Sequence, residues 1–149
     1  MATSAASSLP WSVLTTLRVI FAVHAAIDAA SLLAILFPSA LLALRCFSEV
    51  NVAFFVDDAH ASHPLLRRVF AYWTGSMSLA RVAAAAAPTF ETFSVVAMMY
   101  VMEMLAFEYE GFTAQTVVAR KARTVSMIAG MLAVATMLAS NWLLLLLQT

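Results

Sequence analysis

Charged residues are scarce in this chain, and their scarcity excludes most soluble folds. Only 11% of the 149 residues are Asp, Glu, Lys or Arg, whereas soluble domains carry about 25%. Hydrophobic residues make up 64%, and the mean hydropathy is +0.93. A soluble domain of this size leaves too much of its surface in water to hide so many apolar residues. We therefore expect an integral membrane protein.

Other residue types are also rare, and each absence narrows the class. Three glycines and four prolines are too few for a disordered chain, and the Ala, Leu, Met and Val runs favour helices over a β-barrel. The single cysteine, Cys46, excludes an internal disulfide and a Cys-based zinc site. A net charge of +0 gives no electrostatic attraction for nucleic acid.

Four segments are apolar and long enough to cross a bilayer, which takes about 20 residues. The predicted spans are residues 11–37, 65–87, 90–108 and 125–147. Residues 41–55 are too mixed to span and predict a short amphipathic helix in the membrane interface. We expect one all-α membrane domain over residues 1–149. Its predicted architecture is an antiparallel four-helix transmembrane bundle, with the interfacial helix after the first span.

The basic residues predict the orientation of this bundle. Six of them lie in or beside the first and third connections: Arg45, Arg67, Arg68, Arg120, Lys121 and Arg123. The tails and the second connection have none. Because positive residues remain on the cytoplasmic or matrix side, we expect both long connections to lie there and both termini to lie on the opposite side.

Ionisable residues inside the predicted spans need partners, since each charge costs about 2.5–3.5 kcal/mol at the bilayer centre. They are Arg18, His24, Asp28, Arg81 and Glu103, with Glu108 near a span end. At about 1.5 Å of rise per residue, His24 and Glu103 have the same depth, and Arg18 and Arg81 share a second level. We predict hydrogen bonding between His24 and Glu103, directly or through one water. We interpret the whole set as packing contacts between helices, with a relay, ligand or partner site as the alternatives.

No pattern of catalytic or metal-binding residues stands out. Asp57, Asp58, His60 and His63 lie in one polar loop, and His-x-x-His without a cysteine or a second pair indicates a solvated loop more than a zinc site. No serine lies in a nucleophile-elbow pattern. We predict a non-enzymatic protein with no cofactor, metal or small-molecule substrate, and with room for bound lipids.

Two short patterns, RRVFAYWTGSMSLAR at residues 67–81 and FEYEGFTA at residues 107–114, resemble the ergosterol biosynthetic protein 28 family of small four-span membrane proteins. The sequence RRVFAYWTGSMSLAR follows the family's second helix, with its Arg-x-Phe-x-x-Trp-Thr, Ser and Arg at Arg68, Phe70, Trp73, Thr74, Ser78 and Arg81. The sequence FEYEGFTA resembles the end of the family's third helix and supplies Glu108. Two features depart from the family: its histidine one turn before that Glu is replaced by Met104 or Glu103, and the first connection is longer.

This resemblance implies a scaffold. Family members hold sterol C-4 demethylation enzymes together in the endoplasmic reticulum membrane, and Arg81 would be structural, paired with a neighbouring helix or partner or extended toward the interface. We expect a divergent relative embedded in a mitochondrial inner-membrane assembly, such as a respiratory complex or ATP synthase, with the endoplasmic reticulum scaffold as the alternative.

The partners would be other integral membrane proteins. The candidate docking residues are Arg120, Lys121, Arg123, Asp57, Asp58 and the alanines of residues 83–87. A small proton or solute transporter, its path lined by His24, Asp28 and Glu103, is a second alternative. The lack of inverted repeats and of broken helices argues against it.

Overall fold

The computed structural model describes residues 11–37 and 64–148. They form four long helices: α1 (Trp11–Leu36), α2 (Pro64–Ala86), α3 (Phe90–Glu108) and α4 (Ala119–Leu147). The expected all-α class is therefore confirmed. The predicted interfacial segment, residues 41–55, and the acidic pair Asp57 and Asp58 lie outside the described residues.

Three of the four helices have the length and composition of membrane spans. They are α1, α3 with its extension to Thr113, and α4, and they indicate an integral membrane protein. Helix α2 is less apolar overall, and its polar residues lie both inside and outside. Thr74, Ser78 and Arg81 are buried, whereas Leu79 and Val82 are exposed. Between Thr74 and Val82 the outer surface is therefore mostly apolar, with Ser76 as the exposed polar residue.

The helix ends follow from local chemistry. Pro64 opens α2, where the missing N–H of a proline has no intrahelical partner to lose. Thr89 caps α3 in a reciprocal pair with Thr92: the Thr92 N–H donates to Thr89 Oγ1 at 3.2 Å, and the Thr89 N–H donates to Thr92 Oγ1 at 3.0 Å. Such a capping box starts a helix directly after the chain has turned. The connection between α2 and α3 is correspondingly short.

The chain does not simply leave the helix at the end of the predicted 90–108 span. The chain continues as a single π-helical segment, Tyr109–Thr113, and turns at Gln115, whose φ is 55°. Gly111 is buried there, and a Cβ at this position would lie 2.3 Å from the Cβ of Ala122. Helix α4 starts six residues before the predicted 125–147 segment because its first residues, ARKAR, are strong helix formers.

Contacts between helices give their relative directions. Arg18 contacts Ala85 and Ala25 contacts Ser78, so α1 and α2 run in opposite directions. Phe90 contacts Ser140 and Met104 contacts Ser126, so α3 and α4 also run in opposite directions.

All four helices contribute to the core, and Ala84 is the fully buried contribution of α2. The Phe21 ring packs edge-on against Phe93 with 5.2 Å between ring centroids. Both side chains are fully buried, and Val96 and Tyr100 are buried beside them. From α4, Ala129 and Ala133 belong to the same core.

Candidate functional site

Arg81 is the centre of a buried polar site that joins three helices. Its side chain is only 3% exposed, and it extends from α2 between α1 and α3. Nη1 donates to Oδ2 of Asp28 on α1, and Nη2 donates to Oε2 of Glu103 on α3 at 2.8 Å. The planar guanidinium presents several donors in a fixed fork, so one side chain can hold two carboxylates on two helices.

Helix direction explains why Arg81 meets Asp28. Each Cα–Cβ bond tilts toward the N-terminus of its own helix. Because α2 runs opposite to α1, Arg81 and Asp28 extend toward one another. Ser78 lies beside Ala25, so the Arg81 backbone is about 9 Å along the axis from Asp28 at 1.5 Å per residue. The length and tilt of the side chains close this gap.

Tyr100 and His24 extend the site on the other side of the guanidinium. Cζ of Arg81 lies 4.6 Å from the centroid of the Tyr100 ring, within the range of a cation–π contact. The Tyr100 hydroxyl is 3.0 Å from Nδ1 of His24. We call these five residues, Arg81, Asp28, Glu103, Tyr100 and His24, the charge cluster. It connects α1, α2 and α3 through side chains alone.

The predicted direct hydrogen bond between His24 and Glu103 is not formed. His24 lies within hydrogen-bonding distance of Tyr100 instead, and Glu103 accepts from Arg81. His24 and Glu103 nevertheless line one cavity. Counting residues along the spans placed Arg81 on a different level from Glu103, because the count follows backbone height and ignores the reach of a long side chain. Tyr100 was missed, although its position three residues before Glu103 puts both on one helix face.

The remaining predicted intramembrane residues lie outside the charge cluster. Arg18 is exposed, and its Nε donates to the carbonyl oxygen of Ala85 at 2.7 Å. Glu108 is exposed at the end of α3.

The family-like residues of α2 divide into two groups. Ser78 and Arg81 reach α1, and Ser78 Oγ donates to the Ala25 carbonyl at 2.9 Å. Thr74 donates to Ala71 of its own helix, and Phe70 packs edge-on against Trp73 at 6.1 Å. Arg68 is exposed.

The predicted docking residues are mostly on the surface where the structure describes them. Arg120 and Arg123 are exposed at the start of α4, and Lys121 is half-buried. Within residues 83–87, Ala85 and Ala86 border a groove of about 500 Å³ between α1 and α2. We call it the alanine groove; its lining residues are Ala22, Ala25, Ala26, Ala29, Ser78, Val82, Ala85 and Ala86.

The described part of the chain brings together no group of three or more metal-ligating side chains. The charge cluster instead combines one cation, two carboxylates, a phenol and an imidazole. Such groups can hold helices together, exchange protons or bind a polar ligand.

Comparison with protein-family models, curated proteins and solved structures finds no match to this chain. The site must therefore be interpreted from its own chemistry.

Proposed function

We propose that the protein is a non-enzymatic membrane scaffold or accessory subunit that docks other integral membrane proteins. In this proposal all four helices cross the bilayer as an antiparallel bundle, with both termini opposite the basic connections. The 23 residues of α2 are long enough at about 1.5 Å each. Helix α2 contacts α1 at Ala85 and at Ser78, and α1 itself has the length and composition of a membrane span.

One observation carries the docking proposal: the alanine groove on the outer side of α1 and α2. Lipid tails do not drive helices together by the hydrophobic effect, so a partner helix is held by close packing and polar contacts. Small residues let two backbones approach closely, and seven of the eight residues lining the groove are alanine or serine. The occupant we propose is a transmembrane helix of a partner protein.

Filling the groove tests this proposal. Ala26→Leu with Ala86→Leu changes two exposed lining residues. The matched control is Ala83→Leu, also exposed on α2 but not part of the groove lining. A photocrosslinker at position 86 should capture one membrane protein reproducibly, and the double variant should no longer co-purify with it in mild detergent. Equal recovery of that partner with the double variant would contradict the groove as the docking surface.

The basic start of α4 is a second candidate contact. Replacing Arg120, Lys121 and Arg123 with Gln should loosen the association while leaving the helices inserted. These cations also help to set topology, so protease protection must show an unchanged orientation. Full retention of the partner at the correct orientation would remove this segment from the docking surface.

The identity of the partner determines the membrane. The proposal we favour is a subunit of a mitochondrial inner-membrane assembly, in which case respiratory or ATP synthase subunits co-purify. The resemblance to ergosterol biosynthetic protein 28 supports the alternative, in which sterol-demethylating enzymes co-purify from the endoplasmic reticulum. Ion flux by the purified protein in liposomes, abolished by Glu103→Gln, would contradict a scaffold and support a transporter.

A further inference from the structure

A second cavity lies beside the charge cluster, distinct from the alanine groove. It has a volume of about 170 Å³, and residues of α1, α3 and α4 line it: His24, Tyr100, Glu103, Val125, Ile128, Ala129 and Leu132. For comparison, an apolar protein cavity of about 150 Å³ accommodates a molecule of the size of benzene. This cavity therefore has room for a small organic ligand.

The two walls of this cavity differ in chemistry. One wall carries the His24 ring, the Tyr100 hydroxyl and the Glu103 carboxylate. Glu103 is 21% exposed, and it binds Arg81 through Oε2 alone. Its Oε1 accepts no hydrogen bond from any described residue and remains able to accept one from a ligand. The other wall, from α4, is aliphatic, with Val125, Ile128 and Leu132.

The balance of charge specifies the sign of the ligand. The guanidinium of Arg81 contacts two carboxylates, those of Asp28 and Glu103. Beside them are the Tyr100 phenol and the His24 imidazole, and α4 adds no titratable group to the cavity wall. With both carboxylates ionised and with Tyr100 and His24 neutral, the charge cluster carries one uncompensated negative charge. An uncompensated charge within a span is costly, so a cation at the free oxygen of Glu103 is favoured over an anion or a neutral molecule.

We propose that this cavity binds a small ligand with an ammonium group and a short aliphatic body. The ammonium would donate to Glu103 and to the acceptors beside it, and the body would lie against Val125, Ile128 and Leu132. Three N–H donors on a compact head match acceptors converging from several directions. This site goes beyond the docking function and does not depend on it, because the alanine groove uses other residues.

The test uses the full chain in nanodiscs and n-butylammonium as the probe. Isothermal titration should show one saturable site, absent from empty nanodiscs. Neutral n-butanol should bind at least about tenfold more weakly, because charge-assisted hydrogen bonds are roughly twice as strong as neutral ones. Glu103→Gln should lower the affinity for butylammonium to that of butanol. This change keeps the side-chain shape and leaves Arg81 paired with Asp28.

A pair of isoleucine substitutions separates cavity filling from general effects. Ile128 lines the cavity, so a tryptophan at this position should fill the cavity and block binding. The Ile128 side chain is 45% exposed. Ile27→Trp is the matched control, since Ile27 is 46% exposed and lines neither cavity. Circular dichroism would verify that all variants are folded. Equal affinity for butylammonium and butanol, or unchanged binding by folded Glu103→Gln, would overturn the proposal. Uptake of a proton without any butylammonium binding would overturn the proposal as well, because that proton would then compensate the negative charge of the charge cluster.

Discussion

The helices of this protein are joined in two different ways. Where α2 meets α1 and α3, ion pairs are added to the packing of small residues, with Arg81 between Asp28 and Glu103. Where α4 meets α3, the contact consists of small residues and hydroxyls. Ser126 donates to the Met104 carbonyl at 3.3 Å, and Ser140 donates to the Phe90 carbonyl at 3.0 Å. The first contact is strong but conditional, since it requires every charge to be present. The second distributes small contributions along two whole helices.

The difference shows how the chemistry of a helix relates to its place in a membrane. Helix α4 is apolar enough to insert alone and needs only close packing with α3. Helix α2 has a buried arginine and is not among the helices with the character of a span. We therefore expect the charge cluster to determine whether α2 belongs to the bundle at all. Substitutions in the two contacts should differ accordingly.

The largest effect should come from Arg81→Leu. This change leaves Asp28 and Glu103 facing one another without a cation, and breaking a buried pair in this way costs about 3–5 kcal/mol. The free energy of unfolding, measured by circular dichroism during titration from mild detergent into sodium dodecyl sulfate, should fall by that amount. Arg81→Lys should be intermediate, because a single ammonium lacks the planar fork.

A triple variant provides the control for this prediction. Arg81→Leu combined with Asp28→Asn and Glu103→Gln removes all three charges, and it should recover most of the lost stability because replacing a complete buried ionic group is often neutral. If the single variant were as stable as the original chain, the charge cluster would not be what holds α2.

The second largest effect concerns the tight contact in the π-helical segment that follows α3. Gly111→Ala would place a Cβ 2.3 Å from the Cβ of Ala122, and overpacking of this kind costs about 1–3 kcal/mol. Gly130→Ala is the matched control, since its Cβ would meet only the flexible Met104 sulfur, at 3.1 Å. We expect Gly130→Ala to change the free energy of unfolding by less than about 1 kcal/mol, because alanine is the better helix former. Equal losses at the two glycines would show that the distance to Ala122 is not decisive.

These two sites also show how much the sequence could predict. The helical class and the approximate extents of α1, α2 and α3 follow from apolar length and from prolines that stop helices. The members of the charge cluster, apart from Tyr100, stood out because ionisable residues are rare in spans. Their pairing did not follow, because counting along a helix gives the height of a Cα and not the reach of an arginine. The contact of Gly111 with Ala122 was also hidden, since it depends on a π-helical turn for which the sequence has no clear signal.

A smaller effect is expected in the α3–α4 contact. Ser140 donates to the Phe90 carbonyl and lies 2.7 Å from the Ser94 hydroxyl. Hydrogen bonds between membrane helices contribute about 0.6 to 1.7 kcal/mol, so Ser140→Ala should lower the free energy of unfolding by that amount. Ser76→Ala is the control, since Ser76 is exposed and, among the described residues, bonds only to Trp73 of its own helix. A loss at Ser140 as large as that of Arg81→Leu would contradict the contrast between the two contacts.

The smallest effect should come from Thr136, which has the opposite character to Ser140 on the same helix. Its side chain is fully buried, yet its hydroxyl has no hydrogen-bond partner within the described part of the chain. Because no hydrogen bond within the described chain is lost, replacing such a hydroxyl by an apolar group of the same shape is nearly neutral or stabilising. Thr136→Val should therefore leave the free energy of unfolding unchanged or raise it by up to about 1 kcal/mol. The same detergent titration measures it, with Ser140→Ala as the reference for a hydroxyl that is bonded. A clear loss of stability at Thr136 would mean that its hydroxyl does bind something in the membrane. The α3–α4 contact would then contain a polar partner for Thr136.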